Sequence, residues 1–152
     1  EGIKLWNSKD KDGALDKFSK AQKSAVQHAA NREAVERAKD VLARCDYYLA
    51  EVSLAKRQRP LARDYFDKFL RSSAASSYPD LAKRAQAQRD TLQSQLGRFV
   101  IKLLIDGTCQ TRTVWAEPGE GKSITVQTNP PQTFSGVDIL PDTETSGTSQ
   151  CQ

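Results

Sequence analysis

At Gly97 the spacing of apolar residues changes, and this change constrains the chain more tightly than any bulk property. Before it, apolar and small residues recur every three or four positions, the period of one helix face. Ala34, Val35, Ala38, Val41, Leu42, Cys45, Tyr48, Leu49, Val52 and Ala55 hold one such stripe, which predicts a single long helix. Ala14, Leu15, Phe18, Ala21, Ala25 and Ala29 form an earlier stripe, entered through Asp10-Lys11-Asp12-Gly13, whose aspartates suit N-caps. The short connection near Ala30-Asn31-Arg32 predicts that the two helices run antiparallel. Pro60 suits the first turn of a helix and not its interior, so a new helix begins there with Leu61, Ala62, Tyr65, Phe66, Phe69 and Leu70. Ser72 to Ser77 reads as a linker. Tyr78-Pro79-Asp80 then opens a last helix whose stripe fades among glutamines, a polar outer face suited to the end of a helical array.

Beyond Gly97 the pattern is that of strands. Phe99 to Ile105 is β-branched and apolar and ends in Asp106-Gly107, a hairpin dipeptide. Thr111 to Trp115, Ser123 to Gln127 and Thr133 to Leu140 follow, punctuated by Pro118-Gly119-Glu120-Gly121 and Asn129-Pro130-Pro131. The reading is an α+β chain. Residues 1–97 form antiparallel α-helical hairpins, 98–140 a small antiparallel β-sheet module of three or four strands, and 141–152 a flexible tail unless a disulfide pins it.

The helical part repeats itself. Ala14-(x3)-Phe18-(x2)-Ala21 is echoed by Ala62-(x3)-Phe66-(x2)-Phe69, and twelve residues before each alanine stands another small residue, Gly2 and Ala50. Over residues 1–96 this resembles the tetratricopeptide repeat (TPR), in which small residues let paired helices approach and an aromatic fills the gap. The two alanines are 48 residues apart, fourteen more than the family period, which predicts about two extra turns on each of two neighbouring helices. The β segment offers a second resemblance. Gly97-Arg98-Phe99, Ile105-Asp106-Gly107 and Val114-Trp115-Ala116-Glu117-Pro118-Gly119, followed by Ile124-Thr125-Val126, look like the PEGA module, which follows such repeats in bacterial envelope proteins. Cys109 and the segment after Gln127 have no counterpart in that pattern.

These resemblances imply a non-catalytic interaction or scaffold module that binds a peptide or partner protein on a concave helical face. The implied contacts are Trp6, Asn7, Arg44, Tyr47, Tyr48, Glu51 and Arg84, the two arginines favouring an acidic partner and Tyr47 supplying flat apolar contact. The implied location is the periplasm or envelope, with the cytoplasm as the alternative. A self-assembling envelope component and a basic nucleic-acid-binding helical domain are the competing classes.

Charge bears on the last of these. Residues 1–98 carry 20 Lys+Arg against 13 Asp+Glu, and the remainder carries 3 against 6. Lys4, Lys9, Lys11, Lys17, Lys20 and Lys23 crowd the N-terminal end, but acidic residues are interspersed and no Arg precedes Arg32, which argues for solvated helix faces over a phosphate-tracking surface. No stretch is apolar enough to span a membrane. The chain starts at Glu1 and contains no Met, which reads as a fragment or processed chain.

The sharpest catalytic decoy is Ala116 to Ser123, which fits a relaxed phosphate-binding loop. Such a loop needs a helix leading out, and Ile124 to Thr128 is strand-like, so no nucleotide is expected. His28 is the only histidine and has no companion nucleophile motif, so neither a catalytic triad nor a cofactor is expected. The three cysteines lack metal-ligand spacing. Cys45 falls on the buried stripe. Cys109 and Cys151 would close a disulfide in an exported chain and remain free thiols in a cytosolic one.

Overall fold

The computed structural model describes residues 2–7, 11–27 and 32–151, with the side chains of 5–7, 26, 27 and 32–34 excepted. Among the described residues, five helices are followed by five strands. The helices are α1 (Gly2–Asn7), α2 (Lys11–Gln27), α3 (Arg32–Ala55), α4 (Arg59–Arg71) and α5 (Pro79–Gln95), with a 3-10 turn at Ser73–Ser76. The strands are β1 (Gly97–Ile105), β2 (Thr108–Ala116), β3 (Gly119–Val126), β4 (Gln132–Ile139) and β5 (Glu144–Ser146). The chain divides into two compact units, Glu1–Asp90 and Thr91–Gln152. The expected boundary near residue 97 therefore falls earlier, within α5.

In the first unit the local signals act as read. Pro60 occupies the first turn of α4, and Pro79 begins α5. α3 is the longest helix at 24 residues. Lys56 bonds to Asp12, Phe18 stacks on Tyr48 and Gln22 bonds to Asp46, so contacts descend α3 as they ascend α2 and the pair is antiparallel. Ala14, Phe18, Ala62 and Phe66 are all buried, the first two in a cluster with Cys45 and Leu49 of α3.

α4 carries a charged centre in its buried face. Asp67 is only 8% exposed, and three guanidinium groups converge on it: Arg71 Nε at 2.9 Å, Arg89 Nη1 at 3.0 Å and Arg63 Nη2 at 3.5 Å. Arg63 and Arg71 stand four residues either side of Asp67, so one helix face brings them together, and Arg89 reaches in from α5.

In the second unit β1 alternates between buried and outer positions, with Phe99, Ile101 and Leu103 inward. Asp106 (φ 51°) and Gly107 (φ 74°) form the two-residue turn that starts β2, whose nine residues pair antiparallel with the nine of β1. β3 and β4 make a separate antiparallel pair, bulged around Lys122. Ile124, Val126 and Ile139 from this pair close over Phe99, Ile101 and Leu103 to form one core. Two features depart from the sequence expectation: the strands lie in two sheets, and residues 141–151, pinned by a disulfide, are not a free tail. β5 pairs parallel with β1, placing Arg98 against Glu144 and Val100 against Ser146, and Cys151 is disulfide-bonded to Cys109 with the Cα atoms 5.9 Å apart. Gly97 permits the entry to β1, since a Cβ there would stand 2.6 Å from the Leu140 carbonyl oxygen.

Candidate partner-binding groove

Small residues on α1 and α2 leave room that α3 does not fill. A Cβ on Gly2 would stand 2.8 Å from the Phe18 ring, so α1 can lie against that ring only as glycine. Phe18 in turn lies parallel to Tyr48, with centroids 5.1 Å apart. Beside this stack opens a groove of about 310 Å³. Its apolar walls are Ile3, Phe18, Ala21, Val41, Cys45 and Tyr48, and Lys17 and Arg44 supply its cationic groups. Val41, which the stripe of α3 placed inward, is 36% exposed here.

Arg44 is held at the side of this groove. Its guanidinium carbon lies 5.0 Å from the centre of the Tyr78 ring, and Tyr78 donates its hydroxyl to Asp40 at 3.0 Å. The Nε of Arg44 is buried without a hydrogen-bond partner. Among the described residues no carboxylate pairs with this cation, and a guanidinium so braced on an aromatic ring suits an incoming anion.

The implied contact residues separate into three sets. Arg44 and Tyr48 line the groove. Tyr47 does not offer a flat contact surface: it is 3% exposed, edge-on to Phe66 and Phe69, and donates its hydroxyl to Glu51 at 3.0 Å. Burial first, then the charge of Glu51, pushes its phenol up to about 12, while a hydrogen bond from Arg84 opposes the shift. Tyr47, Glu51 and Arg84 therefore form a polar chain that runs from the buried Tyr47 through the half-buried Glu51 to the exposed Arg84. Side chains of Trp6 and Asn7, and all of His28, lie outside the described residues.

Lys17, Val41 and Cys45 were not singled out as contacts from sequence. Adjacent apolar pairs in α3, Val41-Leu42 and Tyr47-Tyr48, carried the signal: a stripe two residues wide must serve more than one neighbour. Burial pushes the Cys45 thiol up to about 11, with Asp46 adding to the shift, so this wall of the groove is an inert thiol.

Asp46 is 4% exposed, and burial raises its carboxyl above the usual range, with Lys68 at 3.8 Å opposing. A raised folded-state value makes the carboxyl a stabilising presence only while protonated, so its contribution is full below the unfolded value and is lost as pH rises through the folded one. Asp46→Asn is accordingly expected to melt higher than the parent at pH 7, with the difference shrinking toward pH 3. Thermal unfolding across that range checks it, and an equal or lower melting temperature at pH 7 contradicts it.

At the phosphate-loop look-alike, the Gly121 amide already donates to the Asp138 carboxylate at 2.9 Å, and β3 rather than a helix leads out past Lys122. Among the described residues no group of His, Cys, Asp and Glu could hold a metal ion, and no helix is long and apolar enough to cross a membrane. No family model, curated protein or solved structure matches the chain.

Proposed function

We infer that the chain is a non-catalytic scaffold whose helical unit, a tetratricopeptide-like stack of antiparallel hairpins, binds an acidic and apolar peptide segment of a partner protein. One observation carries this reading: an apolar groove beside a braced arginine that has no carboxylate partner among the described residues. The walls take one large apolar side chain, and a carboxylate next to it answers Arg44 and Lys17. The disulfide supports an oxidising compartment, in keeping with a periplasmic or envelope protein carrying a PEGA-like β unit.

The test uses a panel of fluorescent peptides that vary one apolar and one acidic position. Val41→Trp fills the groove, and Arg44→Glu reverses its charge. Each is expected to weaken the best peptide by about tenfold or more, since a hydrogen bond to a charged group is worth ~1.5–3 kcal/mol. Melting temperatures of both variants distinguish lost binding from lost folding. Unchanged affinity in both folded variants would reject the groove, and preference for basic over acidic peptides would reject its assigned chemistry.

A further inference from the structure

The C-terminal segment holds on to its sheet in an unusual way. Residues 141–151 include no large apolar side chain, so they are retained by polar contacts, backbone hydrogen bonds foremost, and one covalent link. Asp142 N–H donates to the Leu96 carbonyl at 2.9 Å, and Arg98 N–H to that of Thr143 at 2.9 Å. Gly147 N–H donates to Val100 O at 2.8 Å, and Gln150 N–H to Lys102 O at 2.9 Å. The match to this edge of β1 is nonetheless specific. A Cβ on Gly147 would stand 2.6 Å from Phe99 Cζ, Gln150 donates its side-chain amide to Gln132 at 2.8 Å, and Cys151 meets Cys109.

The connection from β4 to this segment is short, since only residues 140–143 separate Ile139 from Glu144. Within it Asp142 adopts φ 51°, a left-handed conformation that a non-glycine residue holds at a cost. Extending the connection would relieve that residue, and short hinges under strain favour exchange of the element beyond them.

We propose that residues 144–151 are an exchangeable strand, which two copies of this chain swap so that Cys109 of each is bonded to Cys151 of the other. The occupant is a second copy because its C-terminal segment carries the same glycine, glutamine and cysteine that fit this edge. The exchange consumes no oxidant. A small thiolate attacks Cys151 Sγ and releases Cys109 as its thiolate, leaving a mixed disulfide on the freed segment. Cys109 thiolate of the second copy then attacks Cys151 Sγ, forming the interchain bond and expelling the small thiolate. The reciprocal pair forms in the same way.

The experiment mixes unlabelled and nitrogen-15-labelled full chains carrying Cys45→Ser, at high concentration, with a catalytic amount of glutathione. Acid quenching precedes light scattering and non-reducing peptide mapping. The expected product is a dimer, rising with concentration, whose Cys109–Cys151 peptides pair one light with one heavy strand. Only same-mass pairs, or dimers joined Cys109 to Cys109, would overturn the proposal. Asp142→Gly, which removes the conformational cost at the hinge, is expected to lower the dimer yield severalfold; an unchanged yield overturns the role of the hinge.

Discussion

Replacing Asp67 by Ala is expected to lower the stability of the helical unit by about 3–5 kcal/mol, the range for removing one partner of a buried ion pair. The magnitude follows from what remains behind. The Arg63 side chain is only 12% exposed and that of Arg89 only 24%, so both guanidinium groups would lose their buried carboxylate, keeping the exposed Asp64 at 3.1 Å and Asp90 at 3.7 Å. Arg71, at 78%, is already solvated, so Arg71→Ala should cost no more than ~1 kcal/mol. Urea unfolding followed by the helical circular dichroism signal compares the two. A loss below that of Arg71→Ala for the Asp67 variant would show that the cluster does not hold α4 and α5 together.

Removing the disulfide is the second large perturbation. Cys109 and Cys151 are separated by 42 residues, and the loop they close contains most of β2 and all of β3, β4 and β5. Chain-entropy arguments assign a loop of this size a stabilisation of about 4 kcal/mol. Cys109→Ser with Cys151→Ser should therefore lower the unfolding free energy of the β unit by ~2–4 kcal/mol. The amides of Gly147 and Gln150 should lose hydrogen-exchange protection first, because they are held on β1 by single backbone bonds. Equal protection in the parent and the double variant would mean that the backbone bonds suffice without the crosslink.

Much of the architecture was legible because it rests on local rules. The change of period at Gly97, the proline at the start of α4 and the Asp106-Gly107 turn each act within a few residues, and each produced the element it announced. Features that depend on distant residues were not legible. β5 pairs through its backbone, and no alternation of side chains in Glu144–Ser146 distinguishes it from a solvated segment. Arg63 and Arg71 flank Asp67 at helical spacing, but nothing local pairs them with Arg89, 22 residues further on. The groove was legible in part. Helical phase places Tyr47 and Tyr48 on the inner side of α3, yet which of them faces α4 and which faces α2 depends on where those helices lie. Tyr47 packs on Phe66 and Phe69 of α4, and Tyr48 on Phe18 of α2.

Synthesis runs from the N-terminus, and this gives the position of β5 a temporal meaning. β1 lies between β2 and β5, so one of its neighbours leaves the ribosome only after β3 and β4 have been made. The helices can consolidate while the chain is still growing, but the three-stranded sheet completes only once Glu144–Ser146 has emerged, and until Cys151 follows, Cys109 waits without its mate. A nascent chain that has not yet reached Cys151 therefore carries an unsealed sheet, and a premature stop just short of that residue would leave the seal permanently open.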